Sequence, residues 1–240
     1  MTPTLVGGEG DDEYEIRSKL FMEITITSKI RVACPQLMLA ALRCEVSNSE
    51  TSIELWREME DEIQRFSAGH LLEDINKRPE IEATRRIYKV LGKDPNRYRP
   101  SAEALCRRII RGIPIYKVNT LVDIINLVSI RSGFSIGGFD ISNIQGNIVL
   151  GVGTAEDEFQ AIGRGLLNVE GLPLYRDTLG GIGTPTSDNE RTKITDTTTD
   201  LLMILNGYSG KEGLMEAVNH AIQLLGNYAG MKRHELMWID

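Results

Sequence analysis

The chain has 240 residues, with 27 Lys and Arg against 34 Asp and Glu, and a formal net charge of −7. It is 41% hydrophobic, 25% charged and 6% aromatic. That composition excludes collagen-like, coiled-coil and strongly disordered classes, and a chain of this length can bury a core without staples. Cys34, Cys44 and Cys106 form no Cys-x-x-Cys pair, and His70, His220 and His234 lie far apart. No zinc spacing exists, and the cysteines read as small buried hydrophobes in a reducing compartment. Residues 1–20 are acidic and contain glycines, without a basic or an apolar signal region, so they read as a flexible leader. No apolar run approaches the ~20 residues that a bilayer requires. The expectation is a soluble cytoplasmic protein with one domain over residues 21–240, no membrane partner, no metal and no cofactor.

In chain order, residues 23–32 (EITITSKIRV) alternate and are β-branched, which predicts a strand. Residues 37–46 fit either a strand or a short helix. Within 50–68, Ile53, Trp56, Ile63 and Phe66 recur at helical spacing among acids, which predicts an amphipathic helix. Residues 80–91 predict another, ended by Gly92. Pro95 and Pro100 mark turns, and Ser101 is placed to cap a helix over AEALCRRIIRG. Residues 119–131 predict a helix capped by Asn119 or Thr120, with Asp123 and Asn126 on one face beside an apolar stripe. The segment 133–183 holds 12 of the 23 glycines and predicts short strands, around 148–150 and 172–175, joined by tight turns. Residues 200–206 (DLLMILN) predict a buried strand and 211–229 a final helix, with His234 in a tail. Helices come early and strands late, without βαβ alternation, which predicts an α+β fold.

Two segments carry candidate chemistry. Residues 85–112 contain nine Lys and Arg against only Asp94 and Glu103, a basic island in an acidic chain. Such an island fits a local phosphate-binding face, a solvated helical face, or arginines that complement a helix C-terminus. Residues 184–199 (TPTSDNERTKITDTTT) are dense in hydroxyls around Asp188 and Arg191, and fit either a solvated loop or the polar rim of a pocket. The neighbouring GGIG offers backbone N–H groups to an oxyanion. The glycine pairs match no dinucleotide fingerprint, no Walker sequence occurs, and the three histidines are poorly placed for a triad.

RYRPSAEALCRRIIRG, then NTLVDIINLVSI, then GGFDISNIQGNIVL, resemble the B3/4 domain of the phenylalanyl-tRNA synthetase β subunit, and more closely the stand-alone proteins built from it. The resemblance covers roughly residues 80–205. Leu121-Val122-Asp123 and Asn126 match the family's helix motif, and Gly133 to Asp140 match its following turn. The resemblance implies an α+β, three-layer fold with a β-sandwich-like core. It implies binding of aminoacylated tRNA and hydrolysis of the ester of mischarged tRNA in trans, a function in translation fidelity, without a synthetase active site. The family's editing histidine falls at Gly137 and its tyrosine-reading glutamate near Met203.

On that basis Asp123, Asp140 and Asp188 are the candidate water-activating residues. Asn126, Gly137, Gly138, Ser187 and Arg191 are the candidate substrate-binding residues. Arg97, Arg99, Arg107 and Arg108 are the candidate tRNA phosphate contacts. The alternative is a non-catalytic module for an amino-acid-like or nucleotide ligand, which the replaced histidine and glutamate favour.

Overall fold

A computed structural model describes residues 22–240; the acidic leader expected over residues 1–20 lies outside the described residues. The strand β9 (Asp200–Gly207) organises the rest. Its run Leu-Leu-Met-Ile-Leu is buried on both faces, as a strand between two apolar layers must be. β9 pairs antiparallel with β2 (Met38–Glu45) on one side and β3 (Ile136–Asp140) on the other. The last strand, β10 (Arg233–Ile239), completes a four-stranded sheet in the order β10-β2-β9-β3. The segment expected as a tail around His234 is therefore an edge strand, because pairing with β2 satisfies its backbone groups.

The residues of β2 separate the two cores with a period of two. Ala40, Leu42 and Cys44 face a helical layer, while Leu39 and Ala41 face a second sheet. That sheet has the order β1-β4-β7-β8, with β1 (Ile24–Ile26), β4 (Ile148–Val152), β7 (Pro173–Asp177) and β8 (Gly180–Gly183). Only β1 runs parallel to its neighbour. Leu202 and Ile204 of β9 meet Ile24, Ile148, Leu150, Leu174 and Ile182 between the sheets. A small hairpin, β5 (Gln160–Ala161) and β6 (Gly165–Leu166), forms a separate pair of strands that bridges from Ala161 to Asn189 and, through the Ile162 N–H, to the Asp188 carbonyl.

The helices cover the outer face of the β9 sheet. They include α2 (Ile53–Gly69), α4 (Ser101–Ile110), α5 (Thr120–Ser132) and α6 (Leu214–Tyr228), with α3 (Pro79–Val90) contributing to both cores. The layers are thus helix, sheet, sheet, an α+β fold with a sandwich core. α5 contacts α2, α4 and α6 and is buried nearly all round, so the apolar stripe read from its sequence is only part of its buried surface. Asn119 caps it by accepting from the Val122 N–H, and Gly133 ends it at φ +85°, a conformation that glycine adopts without strain.

Two local expectations are corrected. Residues 23–32 form β1 and then the short helix α1 (Ser28–Ala33), with Ile30 buried and Val32 exposed, so the packing of one helical turn overrides the β-branched pattern. Ser101 opens α4 without capping it; its N–H donates to the Pro185 carbonyl and Pro100 takes the cap position. All three cysteines are buried and free. Among the described residues no helix is long and apolar enough to cross a membrane.

The mouth of the sandwich is closed by one ring. Phe139 is fully buried, and a Cβ at Gly183 would lie 2.6 Å from its Cζ, or at Gly137 2.7 Å. Gly183→Ala is expected to cost about 1–3 kcal/mol through overpacking, read as a lower Tm. The Phe139→Leu/Gly183→Ala pair should lose less than the sum of the two single changes; strict additivity would show that the ring does not close on Gly183.

Candidate functional site

The edges of the two sheets, β3 and β8, converge where Phe139 lies, and the turn after β8 brings Asp188 between them. That turn is held by its own hydroxyl: Thr184 Oγ1 accepts from the N–H groups of Thr186 and Ser187, and Asn189 N–H returns to the Ile182 carbonyl. Asp188 bridges back to Gly183, and its Oδ2 accepts from the Gly138 N–H at 3.1 Å. A Cβ at Gly183 would stand 2.8 Å from Asp188 Oδ1, and one at Gly137 3.5 Å. Gly183 therefore lets the carboxyl approach the β8 edge, whereas a Cβ at Gly137 would make only ordinary contact with it. Burial pushes Asp188 up to about 7, against which the Gly138 N–H works. Behind it, burial and then the nearby Asp188 carboxyl push the Tyr175 phenol well above its usual range.

The other two candidate carboxylates are committed to the fold. Asp140 ends β3 and accepts from the Ser142 N–H and hydroxyl and from Thr198 Oγ1 at 2.7 Å. Asp123 lies in the helical layer, fully buried in the first turn of α5. It accepts from Thr51 Oγ1 at 2.5 Å and from the Val118 N–H, tying α5 to the start of α2, and burial raises its pKa. Its bonds do not reach β3 or the Asp188 turn. Asn126, three residues further on α5, is half-buried.

Gly137 and Gly138, side by side on β3, face opposite layers. Gly137 lies under Phe139, while a Cβ at Gly138 would strike Ile125 Cδ1 at 2.4 Å. Ser187 donates weakly to the Asp188 carbonyl at 3.4 Å. Arg191 does not reach Asp188. It forms a bidentate pair with Asp177, at 2.8 and 2.9 Å, and donates to the Asn143 carbonyl. The hydroxyl-rich stretch is neither a solvated loop nor an open rim: Thr184, Thr186, Thr192 and Thr198 are buried, and Thr186 hydrogen-bonds the Tyr88 hydroxyl at 2.9 Å.

The basic island is organised by a residue that the sequence reading left unassigned. Glu103 is fully buried in the first turn of α4 and pairs with Arg85 at 2.7 Å, Arg107 at 2.8 Å and Arg99 at 3.5 Å. Arg85 also donates to the Pro95 carbonyl and to Asn96 Oδ1. Of the four arginines expected at phosphates, Arg99 and Arg107 thus serve Glu103. Arg97 is exposed beside Tyr98, and Arg108 donates to the Pro114 carbonyl and lies over the exposed Tyr116 ring, 4.4 Å from its centroid. The signal for Glu103 was present as a four-residue spacing on each side: Arg107 follows it by one turn of α4, and Arg99 precedes it just ahead of the helix.

Two outcomes follow from these charges. Glu103→Gln leaves buried guanidiniums uncompensated and is expected to cost about 3–5 kcal/mol in urea unfolding; a loss below about 1 kcal/mol would mean that the arginines find water instead. For Asp188, the folded chain holds a proton up to about pH 7 that the unfolded chain releases near 4, so this group lowers stability as pH rises from about 4 to 7. Asp188→Asn removes that loss. It should exceed wild type at pH 8 by on the order of 1–2 kcal/mol after solvent screening and match it at pH 3.5. An equal gap at both pH values would overturn the assignment.

A family model described as the B3/4 domain matches residues 83–230. A solved N-terminal fragment of the phenylalanyl-tRNA synthetase beta-subunit from Pyrococcus horikoshii is similar at 14% identity and a TM-score of 0.44, covering 90% of this chain. The match takes in 50% of that fragment, so this chain spans about half its length. No curated protein matches the chain.

Proposed function

The chain belongs to the B3/4 domain family, and we propose that it binds aminoacylated tRNA and hydrolyses the ester of mischarged tRNA in trans. The observation that carries this reading is Asp188. It is a carboxyl pushed up to about 7, standing at the convergence of two glycine-bearing sheet edges. A general base works best with a pKa near the operating pH. Gly137 replaces the histidine that the family resemblance leads one to expect, and Asp188 is the titrating group beside it.

In this reading Asp188 takes a proton from the attacking water. The Gly138 N–H, which now donates to Asp188, holds the carboxyl in place. Asp123 and Asp140, whose hydrogen bonds are spent within the fold, act by positioning α5 and β3. Asn126 and Ser187 border the substrate, Arg191 braces the site through Asp177, and Arg97 and Arg108 meet the tRNA backbone. A second reading, a binding module without turnover, is favoured by the Phe139 ring, which fills the space over Gly137 and Gly183.

A deacylation assay on a panel of mischarged tRNAs tests the two. Hydrolysis by wild type should rise with pH through about 7, because the base form is the active one. Asp188→Asn should lower it by about 10²–10⁴-fold while tRNA binding persists. Unchanged hydrolysis in Asp188→Asn would remove Asp188 from the chemistry. Binding of a charged tRNA with no ester loss across the panel would establish the binding module instead.

A further inference from the structure

A cleft that Arg97 and Arg108 do not line opens on the basic island. It encloses about 730 Å³ between the 72–77 segment, α3 and α4. Lys77, Arg85, Arg86, Lys89 and Arg107 line it. Two carboxylates, Glu73 and Glu82, share the wall, so cations outnumber anions in a chain whose net charge is −7.

The cleft has a buried floor and an exposed rim. The side chains of Arg85 and Arg107 are only 9% and 17% exposed, and the Glu103 carboxylate holds both. Glu103 carries one negative charge and faces three guanidiniums, counting Arg99. The cluster therefore keeps an excess of positive charge that the buried acid orients but does not neutralise. Holding the guanidiniums in place before a ligand arrives cuts the entropy of binding an anion. At the rim, Arg86 reaches Glu82 only at 3.7 Å with both side chains largely exposed, and Lys77 pairs with exposed Asp74. Such pairs are weak and readily exchanged for a more strongly charged ligand. Lys89 is exposed. Apart from Leu72, the side chains that line the cleft are charged or polar, which suits a hydrated, charged group better than a ring or an aliphatic chain.

We propose that this cleft is a phosphate-binding site and, resting on the RNA reading above, that it holds backbone phosphates of tRNA. Arg85 and Arg107 supply the fixed positive floor, and Lys77, Arg86 and Lys89 close on the phosphates from the rim. The site is distinct from the Asp188 seam and binds without regard to the attached amino acid.

The test uses the rim, which Glu103 does not organise. The Lys77→Ala/Arg86→Ala/Lys89→Ala variant should keep the wild-type Tm. Fluorescence anisotropy with uncharged tRNA should show at least tenfold weaker binding at 100 mM salt. The slope of log K against log salt should fall by about 2, since each lost phosphate contact removes about 0.7–0.9. Tripolyphosphate, titrated separately by calorimetry, should bind wild type and lose affinity in the variant. If the variant binds tRNA with the wild-type affinity and salt slope, the cleft proposal falls and the RNA reading stands. If wild type binds tripolyphosphate through the rim but no tRNA, the cleft is a site for small phosphorylated ligands and the RNA reading falls. If wild type binds neither, both fall.

Discussion

The burial of β9 on both faces is the constraint on which the rest depends. A strand whose successive side chains point to opposite faces, and whose residues are apolar throughout, needs an apolar layer on each side. The helical layer supplies one through α5 and α6, and the β1-β4-β7-β8 sheet supplies the other. β2 and β3 flank β9 and inherit the same geometry, which is why Gly137 and Gly138, adjacent in sequence, meet different layers. The candidate site exists because β3 is the edge of one sheet and β8 the edge of the other. Their glycines leave room for Phe139 and Asp188 to share the gap.

Charge in this chain is handled by concentration. An isolated buried carboxylate is costly, and so is an isolated buried guanidinium. Glu103 meets that cost by taking three arginines, with Asn96 and the Pro95 carbonyl completing the shell around Arg85. Asp177 and Arg191 form a bidentate pair beneath the β7–β8 turn. Asp188 has no cationic partner among these contacts; a single backbone N–H is opposed by desolvation. That contrast marks Asp188 out from Asp123 and Asp140, whose oxygens are occupied by hydroxyl and N–H donors. Carboxyls that a fold leaves poorly compensated are where proton transfer is concentrated in proteins generally.

Much of the architecture was legible in the residues. The helices over 53–69, 79–90, 120–132 and 214–228 and the strand over 200–207 follow from periodicity and caps. The resemblance over residues 80–205 pointed to the α+β, three-layer arrangement that the layers display. Legibility failed where one local pattern serves two structures. The β-branched run 23–32 reads as one strand, but its second half packs Ile30 through a helical turn. The segment around His234 has no strong alternation, and only the free edge of β2 makes it a strand.

The sequence by itself determined the elements, the glycine-rich half of the chain, and the pairing of charge types along α4, because these depend on residues a few positions apart. Only the tertiary structure decided which charges are spent and which are available. Asp123 faces Thr51 across 72 positions, Arg191 turns to Asp177, and Asp188 is brought to Gly138 across 50. Burial and hydrogen-bond partners of that kind are properties of packing between distant segments. Local spacing carries no record of them, and they decide whether a carboxylate braces the fold or is left to react.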